Sequence, residues 1–190
     1  MKELIERIKK DGSALGTDRV NVDSFLNHQI DTELLEKIGE EFYNLFSDKK
    51  VDKILTIESS GIAISAYTAK FFNHCKMVFA KKALPNTLNS DYYYSDAKSF
   101  TKGTTNRIIV SKKYIKEGDN ILIIDDFLAH GEALNALTDI VSQGKAHVVG
   151  IGIVISKNFQ GGYERLKNKG YDVKILAPIK KIEDGIITFE

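Results

Sequence analysis

Two adjacent aspartates, Asp125 and Asp126, follow an unbroken apolar run at residues 121–124 of this 190-residue chain. A run without polar alternation is typical of a parallel strand that is buried on both faces. Ligands of open parallel sheets bind beyond the carboxyl ends of the strands, which is where these two carboxylates fall. Ionised carboxylates accept hydrogen bonds from hydroxyl groups. The pair is therefore a candidate for binding the hydroxyls of a sugar.

The residues that follow the aspartates suit an anion. Ala129, Gly131 and Ala133 keep the next loop slim, and a helix is predicted to begin near Glu132. An anion can approach the backbone N–H groups of such a loop, and the positive end of the helix dipole favours it. Carboxylates and loop amides together fit a ribose 5-phosphate. The alternative is an ordinary strand-to-helix turn whose aspartates cap the helix, and the spacing alone does not decide between the two.

Three other predicted strands also end in polar or basic residues. These strands cover residues 53–57, 77–80 and 148–155, and the residues that follow them are Ser59 with Ser60, Lys81, and Lys157. Because the carboxyl ends of parallel strands meet at one edge of a sheet, these side chains are expected near the aspartates. Serines ahead of a helix fit a second anion-binding turn, and a lysine can contact a phosphate as a point charge. The alternatives are a plain helix cap and solvent-exposed lysines.

Segments with helical periodicity alternate with short apolar runs along the chain. Helices are predicted at residues 2–11, 32–45, 62–72, 133–141 and 163–169. Strands are predicted at residues 53–57, 77–80, 107–110, 121–124, 148–155, 173–176 and 186–189, and residues 12–20 are predicted to be a loop. The alternation predicts one α/β domain over residues 1–190, with a central, mostly parallel twisted sheet flanked by helices.

Two polar segments lack a clear period. Asn27, His28 and Gln29 group three side chains that can hydrogen-bond the edge of a base or satisfy the backbone of their own loop. The second segment covers about residues 83–103 and contains three consecutive tyrosines at 92–94. A long irregular stretch is typical of a flexible lid, whereas an extended run of tyrosines fits a small antiparallel hairpin.

The composition argues against several classes of protein. The chain has 27 basic and 26 acidic residues, a net charge of +1, which disfavours nucleic acid or an anionic membrane as the main partner. A single cysteine, Cys75, excludes an internal disulfide and fits the cytoplasm. No apolar stretch approaches the ~18 residues of a membrane span, and no signal peptide is expected. Walker A, G-x-G-x-x-G and G-x-S-x-G motifs are absent, and the histidines have no metal-ligand spacing.

The stretch ILIIDDFLAHGEA at residues 121–133 resembles the phosphoribosyl diphosphate (PRPP) motif of type I phosphoribosyltransferases. Further segments resemble the bacterial, xanthine-specific members of that family over nearly the whole chain. They are VDSFLNHQID at 22–31, TIESSGIA at 56–63, VFAKK at 78–82, SFTK at 99–102 and GIGIVISKNFQ at 150–160. The resemblance implies the type I phosphoribosyltransferase fold.

The resemblance also implies roles for the residues that match its motifs. Asp125 and Asp126 are expected to hold the ribose hydroxyls and to act in catalysis. The 5-phosphate is expected among Ala129, His130, Gly131, Glu132 and Ala133, the pyrophosphate near Ser59, Ser60 and Lys81, and the purine near Val20, Asn27 and Lys157. No residue is expected to bind a metal ion directly, because Mg²⁺ is carried mainly by PRPP. His130 and Glu132 depart from the family pattern, which more often has asparagine or threonine and a smaller or uncharged residue.

The implied activity is the salvage of xanthine with PRPP as the second substrate. The resemblance further implies a homodimer, a hood for the purine built from about residues 1–35 and 157–190, and a flexible loop at about 83–103 that closes over PRPP. Two other functions stay open, namely a hypoxanthine or guanine phosphoribosyltransferase and a non-catalytic regulator that senses PRPP or purine on the same fold. The low net charge argues against the regulator, since nucleic-acid binding needs a basic surface.

Overall fold

The computed structural model describes residues 1–83, 91–99 and 104–190. Its helices are α1 Lys2–Asp11, α2 Thr32–Phe46, α3 Gly61–Phe71, α4 Glu132–Gln143 and α5 Gly162–Asn168. Its strands are β1 Ser13–Leu15, β2 Arg19–Asn21, β3 Lys53–Ile57, β4 Lys76–Ala80, β5 Tyr92–Ser99, β6 Thr104–Ser111, β7 Asn120–Leu128, β8 His147–Lys157, β9 Val173–Glu183 and β10 Ile186–Phe189. A π-helical turn, Asp23–Asn27, and a 3₁₀ turn, Asn158–Gln160, complete the described elements.

The centre of the protein is a six-stranded sheet with the order β10-β9-β8-β7-β3-β4 in the described part of the chain. All neighbours run parallel except β9 and β10. The alternating side chains of β7 divide between two apolar clusters, with Leu122 and Ile124 facing one way and Ile121 and Ile123 the other. Helices α1 to α3 cover the first face, and α4 and α5 cover the second. The predicted α/β class and mostly parallel sheet are confirmed.

From the two central strands, β3 and β7, the chain crosses over to neighbouring strands on opposite sides. The chain leaves β3 through α3 towards β4, and it leaves β7 through α4 towards β8. The helices that carry these crossovers pack on opposite faces, α3 against the cluster of Leu122 and α4 against that of Ile123. A crevice therefore opens at the carboxyl ends of β3 and β7. Such a topological switch point is where doubly wound α/β proteins bind ligands.

Strand β7 extends further than its apolar run predicted. It pairs with β8 as far as Leu128 opposite Ser156, whereas it pairs with β3 only as far as Ile123 opposite Leu55. The expectation that Asp125 and Asp126 follow the end of the strand was wrong, because β7 stays hydrogen-bonded to the long strand β8 beyond both residues. Both aspartates still lie beyond the last residue of β7 that pairs with β3.

Two antiparallel hairpins flank the main sheet. Strands β1 and β2 pair with Ala14 opposite Val20, where the sequence predicted only a loop. Strands β5 and β6 pair from Tyr92 opposite Ser111, which confirms the tyrosine hairpin. Of the expected flexible loop at about 83–103, residues 84–90 and 100–103 lie outside the described residues, and its closure over a ligand stays a prediction.

Candidate active site

The two aspartates of β7 lie in very different surroundings. Asp125 is only 4% exposed, while Asp126 is half-buried at the crevice, and the Asp126 N–H donates to Asp125 Oδ1 at 3.0 Å. Burial raises the pKa of the Asp125 carboxyl well above its ordinary value, and the neighbouring charge of Asp126 raises it further. Lys82 opposes this shift. A buried carboxyl held beside a second one is costly for stability and is typical of a functional site.

The amino terminus of α3 packs directly against this pair. A Cβ at Gly61 would lie 2.0 Å from Thr56 Oγ1 and 3.3 Å from Asp125 Oδ1, so only glycine permits this approach. Thr56 Oγ1 is fully buried and has no hydrogen-bond partner among the described residues. Both residues lie in the stretch TIESSGIA, but neither was assigned a role from the sequence. The signal for Thr56 was a single polar residue among the apolar residues ILTI of β3.

The turn after β3 is tied to the end of β4. Glu58 N–H donates to the Ala80 carbonyl at 3.1 Å, and Glu58 Oε1 accepts from the Lys82 N–H at 2.7 Å. The Glu58–Ser59 peptide is cis. Ser59 is exposed and Ser60 half-buried at the start of α3. Together with Lys81 at the end of β4, these serines lie at the same edge of the sheet as the aspartates, while their contacts to pyrophosphate stay a prediction.

The loop from Ala129 to Ala133 turns the chain from β7 into α4. Its Gly131 adopts the left-handed conformation, with φ at +86°, and is the residue that precedes the helix. No side chain among the described residues caps α4, so the alternative in which the aspartates cap this helix was wrong. Glu132 begins the helix and is half-buried. A glycine turn ahead of an uncapped helix leaves backbone N–H groups for an anion.

The loop is held against the segment that follows β8. The Gly162 N–H donates to the Ala129 carbonyl at 3.1 Å. His130 Nδ1 lies 3.2 Å from the Gln160 carbonyl oxygen and is the donor, since a carbonyl only accepts. The Arg165 guanidinium donates to the carbonyl oxygen of His130. None of these three partners was identified from the sequence, because contacts to backbone carbonyls require no particular spacing of residues.

At the end of β8, Lys157 reaches the amino-terminal hairpin. Its Nζ donates to the Asp18 carbonyl at 2.8 Å, and burial lowers the pKa of this ammonium group. Val20 is half-buried on β2 of the same hairpin. Asn27 Oδ1, in the last residue of the π-helical turn, is buried without a hydrogen-bond partner in the described chain. The structure thus brings Val20 to the region of Lys157, while the contact of Asn27 with a purine stays a prediction.

The described residues place no group of three or more His, Cys, Asp or Glu side chains where they could hold a metal ion. Within the same residues, no helix is long and apolar enough to cross a membrane.

The doubly wound sheet and its crevice between β3 and β7 define an α/β protein with a candidate ligand site at the switch point. The phosphoribosyl transferase domain matches residues 26–185. Xanthine phosphoribosyltransferase of Clostridioides difficile strain 630 is 48% identical over 189 residues, and that of Finegoldia magna is 50% identical over 190 residues, each over 100% of both chains. The chain belongs to the type I phosphoribosyltransferase family, whose members are pentosyltransferases.

Two solved structures support the fold. Adenine phosphoribosyltransferase from Rhodothermus marinus superimposes with a TM-score of 0.76, over 94% of this chain and 100% of that chain, at 22% identity. The adenine phosphoribosyltransferase of Saccharomyces cerevisiae gives a TM-score of 0.73, over 93% of this chain and 99% of that chain, at 19% identity. The type I fold expected from the sequence is confirmed.

Replacing Asp125 by Asn is expected to stabilise the free protein above about pH 4. The pKa of Asp125 is raised in the folded protein well above its ordinary value, so ionisation of this carboxyl opposes folding. Stability therefore falls as the pH rises from the ordinary pKa of an aspartate to the raised pKa. Asparagine removes the charge and keeps the acceptor for the Asp126 N–H. We expect the Tm at pH 7 to rise by ~2–4 °C, about 1 kcal/mol for a chain of this size.

Thermal unfolding from pH 3 to pH 8 measures this effect, and the gain should shrink towards pH 3. Asp139→Asn, at an exposed site on α4, is the matched control and should show little gain. An Asp125→Asn variant that melts below the wild type at pH 7 would contradict the assigned cost.

Proposed function

We propose that this enzyme is a xanthine phosphoribosyltransferase of purine salvage, which converts xanthine and PRPP to xanthosine 5′-monophosphate and pyrophosphate. The observation that carries the proposal is the pair of aspartates next to a glycine turn and an uncapped helix at the switch point of the sheet. Relatives that match the whole chain at 48–50% identity and are named xanthine phosphoribosyltransferases support the choice of purine.

The crevice offers different groups to the two ends of a ribose phosphate. Asp126 is accessible and can accept hydrogen bonds from the ribose hydroxyls, and Asp125 fixes the Asp126 backbone. Ribose hydroxyls that donate to this pair would stabilise the charged form of Asp125, whose ionisation the free protein disfavours. The backbone N–H groups of Ala129, His130, Gly131, Glu132 and Ala133 would bind the 5-phosphate, helped by the dipole of α4.

In the proposed reaction, a ring nitrogen of xanthine attacks the anomeric carbon of PRPP. The new C–N bond forms as the C–O bond to pyrophosphate breaks. Pyrophosphate leaves with the electron pair, and the nitrogen releases its proton to water. The carbon passes through an oxocarbenium-like transition state, and the carboxylates of Asp125 and Asp126 would stabilise its positive charge. Ser59, Ser60 and Lys81 would contact the departing pyrophosphate from the ends of β3 and β4.

The groups available for the purine match an oxopurine with ring N–H donors. Lys157 can only donate, so it suits an oxo group, and the buried Asn27 Oδ1 without a partner suits a ring N–H. Xanthine carries both kinds of group. Adenine has no oxo group, and an unmatched buried polar group is costly, so this pocket should reject it.

Mg²⁺ fits this site as an ion carried by the substrate. As the family resemblance implies, oxygens of PRPP and water would hold the ion, with Asp125 and Asp126 as the acidic side chains of the crevice. When bound, Mg²⁺ supplies positive charge that balances the pyrophosphate. We also propose a cytoplasmic homodimer, on the basis of the family resemblance and the single cysteine; sedimentation of the purified protein tests the dimer.

Pyrophosphate release with four purines tests the proposed substrate. With PRPP and Mg²⁺ present, we expect kcat/KM for xanthine to exceed that for guanine or hypoxanthine by about tenfold or more, and adenine to be the poorest substrate. A preference for guanine or hypoxanthine would reassign the purine. Tight PRPP binding without release from any purine would favour the non-catalytic regulator.

Asp126→Asn tests the role of the carboxylate at the ribose. We expect kcat to fall by roughly 10²-fold or more, because the amide keeps the shape of the side chain but loses the charge that stabilises the transition state. Steady-state kinetics and circular dichroism of the variant provide the comparison, with Asp139→Asn as the control. Turnover within a few-fold of the wild type would remove Asp126 from the mechanism.

Lys157→Met tests the purine contact, because methionine keeps the apolar stem and removes the donor. The KM for xanthine should rise by about tenfold or more, while the KM for PRPP should change by less than about threefold. Measuring both constants is essential, since Lys157 also binds the Asp18 carbonyl. Equal increases in the two constants would indicate a structural lysine.

A further inference from the structure

Three successive carbonyl groups in the loop from Ala129 to Ala133 accept hydrogen bonds from other groups of the protein. The Ala129 oxygen accepts from the Gly162 N–H at 3.1 Å, and the Gly131 oxygen accepts from the Asn135 N–H at 2.8 Å inside α4. Between them, the His130 oxygen accepts from Arg165 Nη2 at 2.6 Å and Arg165 Nε at 3.1 Å. The only side chain in this set is that of Arg165.

These bonds determine which way the loop amides point. In a trans peptide, the carbonyl oxygen of one residue and the N–H of the next point in opposite directions. Because the carbonyls of Ala129 and His130 both face the segment of Gly162 and Arg165, the N–H groups of His130 and Gly131 face away from that segment. Rotation of the peptide between His130 and Gly131 would instead turn the His130 carbonyl oxygen towards the side on which the 5-phosphate is proposed to bind.

Arg165 is itself held by the turn that it stabilises. Its Nη2 also donates to the Gln160 carbonyl at 3.3 Å, and this carbonyl accepts from His130 Nδ1. A Cβ at Gly162 would lie 2.3 Å from the Ala129 oxygen and 3.0 Å from the Gly131 nitrogen, so the two segments are in close contact. A planar guanidinium can donate through several N–H groups at once, which a lysine ammonium cannot reproduce in the same geometry.

We propose that Arg165 is a positioning residue for the 5-phosphate of PRPP, acting through the His130 carbonyl and not by contact with the phosphate. The inference rests on the proposed function, because it takes the loop at Ala129 to Ala133 as the phosphate site. Arg165 keeps the loop in its anion-binding conformation before the substrate arrives. Without it, part of the binding energy of the phosphate is used to order the loop.

Arg165→Ala should therefore raise the KM for PRPP by about tenfold and leave kcat within about threefold. The Kd of ribose 5-phosphate, measured by calorimetry, should rise by a similar factor, since this ligand engages the loop without undergoing the reaction. Arg165→Lys should not restore either constant, because it keeps the charge but loses the forked pair of bonds to the His130 oxygen.

Lys167→Ala is the matched control, since Lys167 is an exposed cation on the same helix and its ammonium lies 5.2 Å from the centre of the Tyr163 ring. It should change neither constant, and the Tm values of all variants should stay close. Full rescue by Arg165→Lys, or an equal effect of Lys167→Ala, would show that only charge matters and would overturn the inference.

Two outcomes separate this inference from the proposed function. A wild-type protein that binds ribose 5-phosphate and an Arg165→Ala variant with unchanged affinity would overturn the inference alone. A wild-type protein that binds neither ribose 5-phosphate nor PRPP would overturn both.

Discussion

The unequal pairing of strand β7 is the constraint on which the site depends. The strand bonds to β8 as far as Leu128, but it bonds to β3 only as far as Ile123. The backbone beyond Ile123 is therefore paired with β8 on one side and open on the other. Because α3 and α4 leave the sheet on opposite faces, the open side becomes a crevice, and the aspartates lie on a supported strand at its edge. A site built on a strand is held more firmly than one built on a loop.

The electrostatic cost of this arrangement is concentrated in Asp125. Its carboxyl is buried next to a second carboxylate, and its pKa is raised for both reasons. Ionisation of Asp125 is therefore less favourable in the folded protein than in the unfolded chain, as is common where function requires a charge in a poorly solvated position. The hydroxyls of a bound ribose would offset this cost, so the proposed substrate would favour the charged form of Asp125.

Much of the architecture follows from the sequence because its central strands are continuous apolar runs. The runs at 121–124 and 148–155 predicted buried parallel strands, and their parallel order placed Ser59, Ser60, Lys81 and Lys157 at the edge that carries the aspartates. The end of β7 was misjudged, since pairing with β8 overrides the local change to polar residues. The β1–β2 hairpin was missed because its strands are only three residues long. The bonds of Lys157 and Arg165 to backbone carbonyls leave no pattern in the sequence, because every residue carries a carbonyl.

The close contact of Gly162 with the Ala129 loop has a further consequence for the shape of the substrate. Residues 157–162 join the lysine proposed for the base to the glycine that supports the loop proposed for the phosphate. In this arrangement, one short stretch of backbone would set the spacing between the base and the phosphate of a bound nucleotide. An insertion in this turn would change that spacing, so a nucleotide of the usual length would fit at its base or at its phosphate, but not at both.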